Sequence, residues 1–268
     1  MLKDTNIYLE EALLGKKKVT WLNILESNIY YSIKSLPFLL ASLGTVFVII
    51  AGVFSDILKA FKSQELLENG LHIKLLQKSL ESDVFVFAIT ILCVLPYTTA
   101  YMDDLKSGFV KLYMIRANRR NYLLSKMLAC MLSGGLALVV GILLSLAIFA
   151  LVFTPMELAG AEKWLMPLLE KMLRIFVLGA MWSMAGMAAA AFTSSKYMAY
   201  AAPFIFYYIL IIFCERYFKD CYVLYPKEWL ILDRFPYGSA GVLIFLSEIT
   251  ILICSVFYLH EERRLGGL

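Results

Sequence analysis

Six apolar runs, at 36–55, 84–102, 127–153, 175–195, 197–214 and 238–259, contain one charged residue between them, Glu248. A helix needs about 20 such residues, and sometimes only about 17, to cross a hydrocarbon core. In a bilayer only helices and closed barrels satisfy every backbone hydrogen bond, and runs without period-two alternation point to helices. The 61% hydrophobic content and the mean hydropathy of +0.75 lie outside the soluble range, so lipid must solvate much of the surface. The expected fold is an all-α polytopic membrane protein with six transmembrane helices. It divides into an N-terminal segment, 1–35, a membrane domain, 36–259, and a short tail, 260–268.

Orientation follows from where the cations lie. Lys106, Lys111, Arg116, Arg119, Arg120 and Lys126 crowd the short connection between the second and third runs. Short cation-rich loops stay on the cytoplasmic side, so this loop and both termini are expected there, in a plasma (inner) membrane. Glu10, Glu11 and the run Lys16, Lys17 and Lys18 before the first apolar stretch do not fit a cleavable signal, and the first run is expected to be retained. Leu22, Leu25, Ile29, Ile33 and Leu36 recur at helical spacing beside Trp21, Tyr30 and Tyr31. They predict an amphipathic helix in the inner headgroup layer, or else a cytoplasmic extension of the first span. Pro37 favours a break between the two.

The loop itself reads YMDDLKSGFVKLYMIRANRRNYLLSK from Tyr101 to Lys126. Leu105, Phe109, Leu112, Tyr113 and Arg116 share one face of a helix, an apolar stripe ending in a cation that asks for a partner surface outside the membrane. Asp103 and Asp104 near its start, with Arg116, Arg119 and Arg120 near its end, suit the helix dipole. A loop lying on anionic lipid is the other reading.

An acidic pair, a glycine, an amphipathic stretch, arginines, an aromatic and a lysine at the next span together resemble the ABC type-2 exporter permease family. The matching positions are Asp103, Asp104, Gly108, Leu112, Arg119 or Arg120, Tyr122 and Lys126. The turn carries Ala117 and Asn118 where that family commonly has proline. The resemblance implies a cytoplasmic coupling helix that docks an ABC ATPase subunit through Asp103, Asp104, Gly108, Phe109, Leu112, Tyr113, Arg116, Arg119 and Arg120. It also implies pairing with a second permease copy or a related permease, and export of a peptide, antibiotic or other amphipathic substrate.

The chain has no G-x-x-x-x-G-K-[ST] phosphate loop, so ATP and Mg are expected on a separate ATPase and no cofactor in this chain. His72 and His260 are too far apart for a helical zinc motif, and no G-x-S-x-G elbow occurs, so an enzyme is not expected. Membrane lipid is an expected partner and nucleic acid is not. A secondary transporter or channel is the alternative, and it calls for several ionisable groups at mid-membrane.

Glu248 is the one such group inside a run. It is expected to face protein or water, either paired with Lys171 or Arg174 snorkelling from the fourth helix, protonated and structural, or lining a transport path. Gly179, Ser183, Gly186 and Ala190 lie near one face of the fourth run, and Gly134, Gly135 and Gly141 offer the same close approach in the third. Packing within the subunit and packing across a dimer both fit them. Cys93, Cys130, Cys214, Cys221 and Cys254 show no disulfide or zinc spacing.

Overall fold

A computed structural model of the chain describes residues 21–62, 70–110, 118–156, 165–218, 221–232 and 235–266, and every regular element among them is helical. In chain order these are α1 (Trp21–Ile33), α2 (Leu36–Gly52), α3 (Phe54–Lys62), α4 (Leu71–Leu80), α5 (Asp83–Leu92), α6 (Ala100–Lys106), α7 (Arg119–Phe153), α8 (Leu165–Thr193), α9 (Lys196–Arg216), α10 (Glu228–Ile231) and α11 (Gly238–Gly266). Among the described residues, α7, α8, α9 and α11 are each long and apolar enough to cross a membrane, and the bent pair α1 and α2 raises the number to five.

The bend between α1 and α2 is 53°. Ser35 makes it, because its hydroxyl caps α2 by accepting from the Phe38 backbone N–H at 3.3 Å, while Pro37 can occupy a first-turn position that needs no donor. α1 packs on α7 through Ile24 and Ser32, with Asn28 partly buried between them. The stripe expected from hydropathy lies elsewhere on α1, and Leu22 and Ile33 from it are exposed.

The second apolar run, 84–102, is not one helix. α5 stops at Leu92, the chain passes through turns over residues 93–99, and helix resumes as α6. Pro96 has no N–H to give the helical ladder and its ring crowds the preceding turn, which accounts for the interruption. The Thr98 hydroxyl donates to the Val94 carbonyl within this stretch. Cys93, Val94 and Thr98 are all buried.

At the centre stands α8, packed on α7, α9 and α11. The glycines explain how it fits: a Cβ on Gly134 would lie 2.6 Å from Ser183 Cβ, and one on Gly179 would lie 2.7 Å from Leu138 Cδ1 and 3.2 Å from the Gly134 carbonyl oxygen. Gly186 of α8 faces Ala199 and Pro203 of α9 in the same way. These small residues are therefore used between helices of one subunit.

At one end of the bundle α3 and α4 form a cap between α2 and α5. α4 buries Ile73, Leu75, Leu76 and Leu80, and the Ser79 hydroxyl donates to the Ile49 carbonyl at 2.7 Å. Lys78 pairs with Asp56 at 2.6 Å, and that hydrogen bond holds the Asp56 carboxyl below the ordinary range. In the aromatic segment before α11, Trp229 is buried with its indole N–H on the Val223 carbonyl at 2.8 Å, whereas Tyr217 and Tyr237 are exposed.

Candidate functional site

The opposite end of the bundle gathers Arg119, Arg120 and Lys126 of the 101–126 loop with Arg263 and Arg264 of α11. The N-terminus of α7 is set by Asn118, whose side-chain oxygen accepts from the Arg120 backbone N–H at 3.2 Å. Residues four apart on a helix share a face, so Tyr122 and Lys126 point together from the early turns of α7. Both reach Asp104, at the end of α6. The Tyr122 hydroxyl donates to Asp104 Oδ2 at 2.6 Å, and Lys126 Nζ lies 2.8 Å from the same oxygen.

The chain of hydrogen bonds continues beyond this pair. Lys126 Nζ donates to the Tyr97 hydroxyl at 2.9 Å, Tyr97 donates to Asn28 Oδ1 at 2.9 Å, and Asn28 Nδ2 donates to the Ser125 hydroxyl at 3.1 Å. The Lys126 side chain is 7% exposed and that of Asp104 19%. A charge so far from water persists only with a counter-charge and hydrogen-bond partners, and here it has both. The network ties α1, the 93–99 turns, α6 and α7 together.

Neighbouring ties reach the remaining helices. Asp103 pairs with Lys196 at the start of α9, and Tyr101 donates to the carboxylate of Glu261, which is fully buried in α11. Arg264 lies 3.6 Å from Glu261 and donates to the Ala191 carbonyl at 3.2 Å and the Ser194 hydroxyl at 3.3 Å. Arg120 Nε donates to the Tyr258 hydroxyl at 3.1 Å, although Arg120 itself stays exposed.

Gly108 ends α6. Its φ of +74° is left-handed, a conformation glycine adopts without a Cβ penalty, and space around it is open. The single amphipathic helix expected through Leu105, Phe109 and beyond is therefore broken at Gly108, and a new helical segment opens at Phe109. Leu112, Tyr113 and Arg116 lie outside the described residues. Phe109 is 46% exposed, and Arg119 is exposed as well. Ile24, Asn28, Tyr97, Asp103, Phe109 and Lys126 are among the walls of a groove of about 360 Å³ between α1 and this loop.

The resemblance's residues thus divide in two. Asp103 and Asp104 are engaged inside the subunit, with Tyr122 and Lys126 as partners of Asp104, whereas Phe109, Arg119 and Arg120 reach the surface. Sequence reasoning missed Asn28, Tyr97, Glu261 and Arg264. The Pro96-Tyr97-Thr98-Thr99 stretch, polar for an apolar run, was the available sign for Tyr97. The 260–268 segment expected as a short tail continues α11 through residue 266, where Glu261 and Leu265 are buried.

Of the three readings of Glu248, the pairing with Lys171 or Arg174 does not form among the described residues. Lys171 turns to Glu81, and Arg174 is buried with its Nε unpartnered among the described residues. Glu248 is exposed, because α11 directs Val242, Leu246 and Phe257 inward and position 248 lies about 200° round from 246. Among the described residues no cluster of histidine, cysteine and carboxylates suited to a metal occurs.

Comparisons of the chain with family models, with curated proteins and with solved structures give no match.

Proposed function

We propose that this membrane-embedded helical protein is the spanning subunit of an ATP-driven exporter of the ABC type-2 permease kind. It would work with separate ABC ATPase subunits that bind ATP and Mg, and with a second copy or a related permease. The observation that carries this reading is the Asp104–Lys126–Tyr122 tie beside Gly108. It fastens α6, which leads through Gly108 to Phe109, to α7, a 35-residue helix packed along α8. A push on an exposed element so anchored passes to the bundle rather than being lost in a loose loop.

In this reading the end bearing Arg119, Arg120, Arg263 and Arg264 is cytoplasmic, both termini lie there, and the membrane is the plasma membrane. The exposed stripe of α11 around Glu248 then faces the second permease or the cargo path, since a carboxylate facing lipid near mid-span costs about 2.5–3.5 kcal/mol even on insertion scales. Cargo is a peptide, antibiotic or other amphipathic molecule.

A secondary transporter or channel draws support from the buried Lys126, Lys171, Arg174 and Glu261. All four, however, lie within about three turns of a helix end, and an ion-coupling site belongs near the midplane.

The test is Phe109→Asp in full-length protein co-expressed with a candidate ABC ATPase, sought among the neighbouring reading frames. Loss of ATPase from the purified complex, with the permease still monodisperse, is the expected result, because an apolar contact is replaced by a desolvated charge. Undiminished recovery and undiminished substrate-stimulated ATP hydrolysis would overturn the docking role.

A further inference from the structure

A second groove lies away from the Asp104 network, between the end of α8 and the last turns of α11. It measures about 810 Å³ and is lined by Ala191, Phe192, Val256, Leu259, His260 and Arg263, with Ser194 and Arg264 at its polar edge. Its chemistry changes along its length. Val256 and Leu259 lie one to two turns before Arg263, which at 1.5 Å per residue sets an apolar floor roughly 6–10 Å from the cationic rim.

The two arginines are not equivalent. Arg264 is held in place by the Ala191 carbonyl, the Ser194 hydroxyl and the Glu261 carboxylate, so its charge is partly offset and its guanidinium fixed. Arg263 is exposed and makes no hydrogen bond or ion pair among the described residues. His260 lines the same groove, its ring 4.4 Å from that of Phe192 and its Nδ1 3.0 Å from Glu261. Glu262, the other nearby carboxylate, accepts from Tyr258 and does not line the groove. What remains is one unoffset cation, a second cation held rigidly beside it, and an apolar channel running toward mid-span.

We infer that this groove binds an anionic phospholipid, with the phosphate at Arg263 and Arg264 and an acyl chain along Phe192, Leu259 and Val256. Basic pockets between spanning helices at the cytoplasmic interface suit such headgroups, and each nearby arginine contributes about 1 kcal/mol, or roughly five-fold in affinity. The shared chemistry is a phosphate, and the apolar floor distinguishes a lipid from a free anion. The inference needs only that this end lies at a membrane–water interface, so it stands or falls independently of any ATPase partner.

The experiment uses the full chain in nanodiscs and in detergent. Native mass spectrometry of protein released from discs of equal phosphatidylglycerol and phosphatidylcholine should show retained phosphatidylglycerol. Arg263→Gln should lower that retention about five-fold. Arg216→Gln, which removes an exposed arginine at the opposite end of the bundle, should leave it unchanged. In detergent, phosphatidylglycerol should raise the melting temperature of the wild type, while inorganic phosphate and glycerol phosphate at the same concentration should not. Equal retention by wild type and Arg263→Gln would overturn the proposal. So would a full shift from inorganic phosphate alone, which would make the groove a small-anion site.

Discussion

Replacing Lys126 by methionine should be among the most damaging single changes in this protein. The Lys126 side chain is 7% exposed, and its ammonium is shared between Asp104 at 2.8 Å and the Tyr97 hydroxyl at 2.9 Å. Removing it leaves a carboxylate facing apolar surroundings, and breaking one side of a buried pair costs about 3–5 kcal/mol. Asp104 keeps 19% of its side chain exposed and retains the Tyr122 hydroxyl, which places the expected loss near the low end, about 3 kcal/mol. Asp104→Asn should cost a comparable amount by stranding the ammonium. The double variant removes both charges together and should lose much less than the sum, with a coupling of about 2–3 kcal/mol. Unfolding free energies of the four proteins in mixed micelles, measured by denaturant titration of tryptophan fluorescence, close the cycle. Additivity within about 0.5 kcal/mol would show that the two residues do not act as a pair and that Asp104 does not anchor the loop to α7.

Two further substitutions test the packing and the exposed face. Gly134→Val should destabilise by at least about 1–3 kcal/mol in the same micelle assay, because its Cβ would meet Ser183 Cβ at 2.6 Å and the Cys93 carbonyl oxygen at 2.8 Å, and the latter is backbone; a loss below about 0.5 kcal/mol would contradict so close an approach of α7 to α8. Glu248→Leu should leave the isolated subunit within about 0.5 kcal/mol of wild type, since the exposed carboxylate makes no contact that holds the subunit together, yet impair subunit association or transport in membranes. A loss of about 2 kcal/mol or more in the isolated subunit would mean the carboxylate has an internal role.

The long helices α7, α8, α9 and α11 were legible because an uninterrupted apolar run in a bilayer has few alternatives to a helix. Hydropathy fails where hydrogen bonding decides. The run 84–102 carries no charge, yet Pro96 breaks it. On α1 much of the apolar stripe stays outside, and the face turned to α7 holds Ile24, Asn28 and Ser32, because polar partners on α7 and at Tyr97 were invisible to a hydrophobic pattern. Asp104 and Lys126 could be matched to a pattern, but nothing in their spacing says that they touch. Likewise the charged run from His260 to Arg264 resembles a solvated tail, and only tertiary contact with Tyr101 shows Glu261 as an interior residue.

The broken second run and the small residues of α7 and α8 turn out to be one feature. Backbone that leaves the helical ladder at membrane depth must be buried in protein, because lipid offers its carbonyls and amides no partner. At Cys93 the chain leaves α5, and the side of α7 it meets is Gly134, where the missing side chain admits the Cys93 carbonyl. Across that contact, the Ser183 hydroxyl of α8 donates to the Cys130 carbonyl at 3.2 Å, and Cys130 Sγ lies 3.5 Å from the Ser183 carbonyl, so the helices flanking the break are cross-linked by their own polar atoms. Four residues later Tyr97 arrives beside Lys126. The interruption thus converts an apolar run into a route from the packed middle of the bundle to its polar end. A continuous helix over 84–102 would fix the direction of Tyr97 by the step of about 100° between successive residues, with no reason to end at Lys126. Glycine at 134 and the break after Leu92 thus serve the same route, and Gly134→Val should disturb the Lys126 network as well as the helix contact.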